Sequence, residues 1–193
     1  EVICVPKNLC VKLTEDADME MLSFTTIAAI SLQGIRQAEP SAGEYVIVIG
    51  LGLIGQITMD ILNIFGCLPV GIDLDDDKVK LAKKRGHVAF RRDDESLFSK
   101  ISGFTQRNGA DYSIITASTS NNDPLTLSTK LLRDKGHITI VGDIKIEMPR
   151  EDFYKKELNL NISRSYGPGR YATDYEEKGL DYPIGYVRWT ENR

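Results

Sequence analysis

Val46-Ile47-Val48-Ile49-Gly50-Leu51-Gly52-Leu53-Ile54-Gly55 is the stretch whose reading decides the fold. A β-branched apolar run passes directly into Gly-x-Gly-x-x-Gly, and a helix-compatible segment follows. A second apolar run (Leu68, Val70, Ile72) then delivers Asp73, eighteen residues after Gly55. Strand, glycine turn, helix, strand and spaced acid together make a dinucleotide-binding fingerprint. Gly50 permits the tight turn, Gly52 lets backbone approach a pyrophosphate, and Gly55 allows close helix–strand packing. The N–H groups of the following turn, carried by Leu53, Ile54 and Gly55, face the phosphates with the helix dipole behind them. Asp73 is placed to accept the hydroxyls of the adenosine ribose. A 2′-phosphate would bring like charge against it, which favours NAD over NADP.

Outward from this stretch the pattern alternates. Residues 1–13 read as extended, punctuated by Pro6. Asp16 or Asp18 caps a helix that runs to about Ala38, where Glu39-Pro40 stops it. Helices are predicted over about 53–65, 76–85, 95–107 and from Asp123-Pro124 to about Arg133. Strands are predicted at 45–50, about 68–73, 88–90, 112–116, 137–141 and about 158–165. Strands and helices alternating at this spacing predict an α/β Rossmann fold, a doubly wound six-stranded parallel sheet with helices on both faces. Residues 166–193 depart from the pattern and form an irregular, aromatic-rich tail with five tyrosines and the single tryptophan, Trp189. Gly167-Pro168-Gly169 and Pro183 preclude a long helix there. An interface for substrate or partner domain is the favoured reading of the aromatics; packing on their own domain is the alternative.

Composition narrows the partners. The 193 residues are 41% hydrophobic and 27% charged with a net charge of −4, which is ordinary for a globular domain of one core. With no basic cluster, neither nucleic acid nor an anionic membrane is an expected partner. Residues 45–72 are apolar enough to suggest a membrane span, but their glycines, Gln56, Asn63, Pro69 and Asp60 argue for a buried strand and helix instead. Cys4, Cys10 and Cys67 match no zinc spacing and read as buried free thiols in a reducing cytoplasm. Glu1-Val2-Ile3-Cys4-Val5-Pro6 has no signal-peptide pattern and reads as a strand cut from something longer.

Strand ends mark further candidate contacts, because ligands of open parallel sheets sit in the crevice at the carboxyl ends. Thr116-Ala117-Ser118 and Val141-Gly142-Asp143 are the candidates for the nicotinamide side. Lys78 can reach a ribose from the first turn of its helix or stand as a solvated lysine. Asp75, Asp76 and Asp77 are read first as acids decorating a helix N-terminus. No catalytic set emerges: His87 and His137 border short strands and are read as structural, so the catalytic residues are unknown.

The residues Thr26-Ile27-Ala28-Ala29-Ile30-Ser31-Leu32-Gln33-Gly34-Ile35, the spacing to Gly43-Glu44 and the run Val46–Gly55 resemble the cofactor domain of the medium-chain dehydrogenases/reductases, the superfamily of zinc-type alcohol dehydrogenases and quinone reductases. Asp73 with Lys78 resembles that family's NAD-ribose pair. The resemblance covers about residues 1–165. It implies an NAD-binding domain at 14–165, an exit strand of a missing GroES-like catalytic domain at 1–13, and a tail or linker at 166–193. The tail, through Phe153–Leu158, Ser163–Tyr171 and Tyr182–Trp189, resembles a bacterial subgroup fused to a Gfo/Idh/MocA-type half.

By this resemblance the expected activity is hydride transfer between NAD(H) and a small-molecule alcohol or carbonyl, with a sugar derivative suggested by the subgroup. The fragment alone is expected to be inactive. A homodimer through the edge strand near 159–165 is also implied. The zinc-ligand cysteine of zinc-dependent members has no counterpart in Thr25-Thr26-Ile27-Ala28, so no metal is expected. The rival function is a non-catalytic NAD-sensing module. A methyltransferase using S-adenosylmethionine also fits a glycine turn followed by an acid.

Overall fold

The computed structural model describes Val2–Arg193. Six strands, β1 (Tyr45–Ile49), β2 (Leu68–Asp73), β3 (Val88–Arg91), β4 (Ala110–Ile115), β5 (Leu132–Ile140) and β6 (Asn159–Ile162), form one parallel sheet in the order β3-β2-β1-β4-β5-β6. The predicted doubly wound Rossmann sheet is the sheet observed.

Helices cover both faces: α1 (Met19–Leu22), α2 (Thr25–Ala38), α3 (Leu53–Ile64), α4 (Asp76–Lys84), α5 (Leu97–Phe104), α6 (Asp123–Leu131), α7 (Arg150–Lys156) and the short α8 (Thr173–Glu176). β1 shows how one strand serves two cores, since successive side chains point to opposite faces. Val46 and Val48 join Ile35, Met59, Leu62 and Val79 under α2, α3 and α4. Ile47 and Ile49 join Leu97, Ile101, Leu125 and Phe153 under α5, α6 and α7. Strands buried on both faces read as continuous apolar runs, which is why Val46–Ile49 shows no polar alternation. Each such side chain stabilises the fold by roughly 1.5–3 kcal/mol relative to exposure.

Several boundaries differ from expectation for local reasons. The helix expected over 16–38 is two helices. Asp18 is the N-cap, its carboxylate accepting the Glu20 and Met21 N–H groups, and Ser23 Oγ donates to the Glu20 carbonyl at 2.7 Å where α1 ends. α2 does stop at Glu39, which adopts a left-handed conformation before Pro40. The helix expected over 95–107 ends at Phe104, because Gln106 and Arg107 take positive φ. α6 ends at Leu131 rather than Arg133, and β5 begins at once, five residues earlier than expected. An irregularity at its start shifts the register between Ala110 and Tyr112, and Lys135 has φ of 58°. α7 has no counterpart in the sequence prediction. β6 spans four residues, shorter than the expected 158–165.

Within the segment expected to be extended, Lys7–Leu9 forms a single 3-10 turn, and Glu1 lies outside the described residues. Cys4 and Cys10 are exposed, contrary to the expectation of buried thiols; Cys67 alone is buried, and all three are free. The reason is that this segment lies on the surface and not in the core.

The tail packs back on the N-terminal segment. Asn8 Nδ2 donates to the Tyr175 carbonyl at 2.8 Å, and Asn192 Nδ2 donates to the Cys10 carbonyl at 2.9 Å. Tyr175 is 1% exposed, its hydroxyl donating to Thr190 Oγ1 at 2.8 Å and accepting the Asn192 N–H at 3.1 Å. Two guanidinium groups lie over the Trp189 ring, Arg36 of α2 at 4.0 Å and Arg188 at 4.1 Å from its centroid. The tail is therefore divided: Tyr175 is a core residue, against the favoured interface reading, while Tyr171 and Tyr186 are exposed.

Candidate cofactor-binding site

Strand order reverses between β1 and β4, so the connections leaving these neighbours run to opposite sides and open a crevice at their carboxyl ends. The glycine turn sits on this crevice. Gly50 has φ of 97°, a left-handed conformation that a side chain would strain, and a Cβ there would lie 2.6 Å from the Ala117 nitrogen. A Cβ on Gly55 would run into the Gly50 carbonyl. Gly52 behaves differently: a Cβ would meet nothing within 4 Å. Gly50 and Gly55 are closed by protein, and Gly52 leaves open space against the start of α3.

Helix geometry orients the donors. The first N–H to find a partner one turn back is that of Gln56, on the Gly52 carbonyl at 2.9 Å. Leu53, Ile54 and Gly55 precede it, so their N–H groups have no intrahelical carbonyl to meet. Their dipoles and the helix dipole converge on the open space at Gly52, a setting suited to an anion.

Asp73 ends β2 beside this turn. Its Oδ2 accepts the Leu51 N–H at 2.6 Å and its Oδ1 accepts the Asp75 N–H at 2.8 Å. The carboxylate is thus held by two backbone groups, one of them inside the fingerprint. Asp75 is the N-cap of α4, accepting the Asp77 N–H at 2.9 Å. This bond is the first cause of its carboxyl lying below the usual range. Asp76 and Asp77 fill the first turn, so these acids face the positive end of the α4 dipole. Lys78 Nζ is 3.6 Å from Asp75 Oδ2, with both groups about half exposed. The structure places it with Asp75 rather than with Asp73.

The other strand ends are drawn into the same crevice by backbone contacts. Thr116 Oγ1 donates to the Gly50 carbonyl at 2.6 Å, and the Thr116 and Ala117 N–H groups share the Ile49 carbonyl. The Val141 and Gly142 N–H groups share the Ile115 carbonyl, and the Thr119 N–H reaches the Asp143 carbonyl at 2.9 Å. A Cβ on Gly142 would collide with the Ala117 carbonyl, so this approach also requires glycine. Ser118 and Asp143 are exposed, and Thr116, Ala117 and Val141 are partly so.

His87 is 2% exposed at its side chain and is held by Asp60 Oδ1 at 2.8 Å and Asn63 Nδ2 at 3.1 Å. His137 stacks on Tyr112 at 5.2 Å, ahead of the carboxyl end of β5. Both are structural. Among the described residues no three His, Cys, Asp or Glu side chains are grouped as metal ligands. Gln56, which the sequence reading treated only as a polar interruption, is 6% exposed and bonded to the Leu51 and Lys78 carbonyls. Its signal was an amide side chain in the first turn of the helix that follows the glycine turn.

Comparison with known proteins agrees with this fold. The family model described as zinc-binding dehydrogenase matches residues 54–178. D-xylulose reductase A of Aspergillus oryzae is 24% identical over 173 residues, which cover 86% of this chain and 48% of that protein. A zinc-type alcohol dehydrogenase-like protein of Haemophilus influenzae is 23% identical over 171 residues, again 86% of this chain and 48% of the relative. The chain spans about half the length of these curated relatives. Among solved structures, 2R,3R-butanediol dehydrogenase of Bacillus subtilis superposes with a TM-score of 0.72 at 20% identity, covering 81% of this chain and 45% of that one. A zinc-binding dehydrogenase of Sinorhizobium meliloti, solved bound to NADP, superposes with a TM-score of 0.68 at 22% identity over 79% and 46% of the two chains. No helix among the described residues is long and apolar enough to cross a membrane. With the family model matching well over half of its residues, the chain belongs to the zinc-binding dehydrogenases of the medium-chain dehydrogenase/reductase superfamily.

Proposed function

We propose that this chain is the NAD(H)-holding part of an oxidoreductase that moves a hydride between the nicotinamide and an alcohol or carbonyl of a polyol or sugar-like substrate. The observation that carries the reading is the open face at Gly52, with the unpaired N–H groups of α3 on one side and Asp73 on the other. The nicotinamide supplies hydride-carrying capacity when bound. The chain's own contributions are binding and orientation: helix N–H groups on the pyrophosphate, Asp73 on the ribose, and backbone at Thr116–Ser118 and Val141–Asp143 along the nicotinamide side. The printed names of relatives, a xylulose reductase and a butanediol dehydrogenase, support the polyol-like substrate class. The chain's half-length match supports the view that it orients the cofactor and turns nothing over alone.

NAD is favoured over NADP because a 2′-phosphate would face the Asp73 carboxylate, and like charges there cost several kcal/mol. The nearby Arg91, paired with Asp73 across β2 and β3, is itself engaged by Asp93 at 2.7 and 2.5 Å. Titration calorimetry with the full chain should show NAD binding and weaker NADP binding. Absence of heat at millimolar NAD overturns the reading, and tighter NADP binding overturns its specificity.

The edge of the sheet at β6 carries the proposal of a homodimer. Ile162 there is 64% exposed, and an unpaired parallel edge offers backbone groups to a second copy. A dimer mass by light scattering is expected; a strictly monomeric mass refutes it.

A further inference from the structure

Gln56 is nine-tenths buried and occupies the first turn of α3. Its Nε2 donates to the Leu51 carbonyl at 3.0 Å and to the Lys78 carbonyl at 3.1 Å. Both partners are acceptors, so the amide orientation follows from the network: nitrogen must face them. Oε1 is buried and has no partner, so the side chain acts through its donors alone.

The two carbonyls belong to different functional parts. Leu51 lies between the first two glycines of the pyrophosphate turn, and Lys78 lies in the first turn of α4, just beyond Asp73. The Leu51 peptide is also gripped from its other side, where its N–H donates to Asp73 Oδ2 at 2.6 Å. Turn, acid, α4 and Gln56 therefore close into one polar circuit. Resting on the cofactor reading above, we propose that Gln56 is a positioning residue that fixes the distance between the pyrophosphate turn and the ribose carboxylate. A ligand that uses both at once depends on that distance; one that leans mainly on the ribose does not.

The test compares NAD with AMP, which carries the same ribose and a single phosphate. Gln56→Met keeps the volume and removes both donors. By calorimetry on the full chain, this variant should bind NAD about tenfold more weakly while AMP binding changes by less than about twofold. Amide exchange followed by NMR should accelerate at Leu51 and stay unchanged at Val48 in the core of β1. Unchanged NAD binding overturns the proposal, as does an equal loss for both ligands, since a softened domain would lose both. A parent chain that binds neither ligand removes the cofactor reading itself, which is a separable result. If Gln56→Met does not fold, Gln56→Leu takes its place with the same expected split, because it also presents no donor to either carbonyl.

Discussion

The cofactor crevice and the surface lobe formed by residues 7–10 with 166–193 are built by opposite means. In the crevice, backbone meets backbone: Gly50 against Ala117, Gly55 against the Gly50 carbonyl, Gly142 against the Ala117 carbonyl. Side chains there, apart from Asp73, Thr116 and Gln56, mostly stay out of the way. In the lobe, large side chains make the structure. Tyr175 fills its centre, Asn8 and Asn192 stitch the segments, and the Trp189 ring carries Arg36 and Arg188. Close backbone packing leaves no room for variation in size, whereas a lobe of polar stitches can lose one and persist. The crevice should therefore be brittle and the lobe compliant.

The largest effect expected on that contrast is at Gly55. Gly55→Ala drives a methyl group into the Gly50 carbonyl and should cost about 3 kcal/mol of stability, with NAD binding lost. A urea midpoint within error of the parent's would break the claim of brittleness. Tyr175→Phe comes next. It removes a donated and an accepted hydrogen bond, worth about 2 kcal/mol together, while keeping the ring in place. Because Trp189 is the only tryptophan, its emission reports the lobe directly. The variant should free Trp189 at lower urea while NAD affinity is retained; coupled loss of both would mean the two regions are one unit.

The smallest effect concerns pH. Burial, and then the charge of Glu176, push the Glu191 carboxyl above its ordinary range, while Arg170 pulls the other way. Glu176, bonded to Arg170 at 2.5 Å, is shifted down, first by that bond. A carboxyl raised in the folded state contributes stability that is full below its unfolded value of 4.5 and lost as pH rises through the folded one. Glu191→Gln should thus tighten the lobe at pH 7 and make little difference at pH 4. Equal effects at both, read from Trp189 emission in urea, would place the gain elsewhere.

The same contrast explains what could be read from sequence. The crevice was legible because its parts are local: Val46–Gly55 signals a strand and turn within ten residues, and Asp73 follows from strand spacing. Thr116–Ser118 and Val141–Asp143 came from the rule that strand ends line the crevice. Gln56 escaped because its partners, Leu51 and Lys78, are joined only once α4 packs beside α3. The early start of β5 was hidden by an irregular register that no periodicity marks. The lobe was illegible for a stronger reason. Nothing around Asn8 announces Tyr175, 167 positions away, and Tyr175 looks like its exposed neighbours Tyr171 and Tyr186. Lys78 shows the limit of spacing arguments: its sequence offset from Asp73 fits a ribose pair, yet its ammonium rests with Asp75.

The bond between Asn8 and the Tyr175 carbonyl also orders events in time. It closes a loop that contains all six strands, so its entropy cost falls only after the sheet has drawn the two segments together. During synthesis, residues 7–10 emerge well before Tyr175 and must wait, solvated, until it leaves the ribosome. The lobe is consequently the last part to assemble. A nascent chain carrying a finished nucleotide crevice can exist well before its own surface is closed.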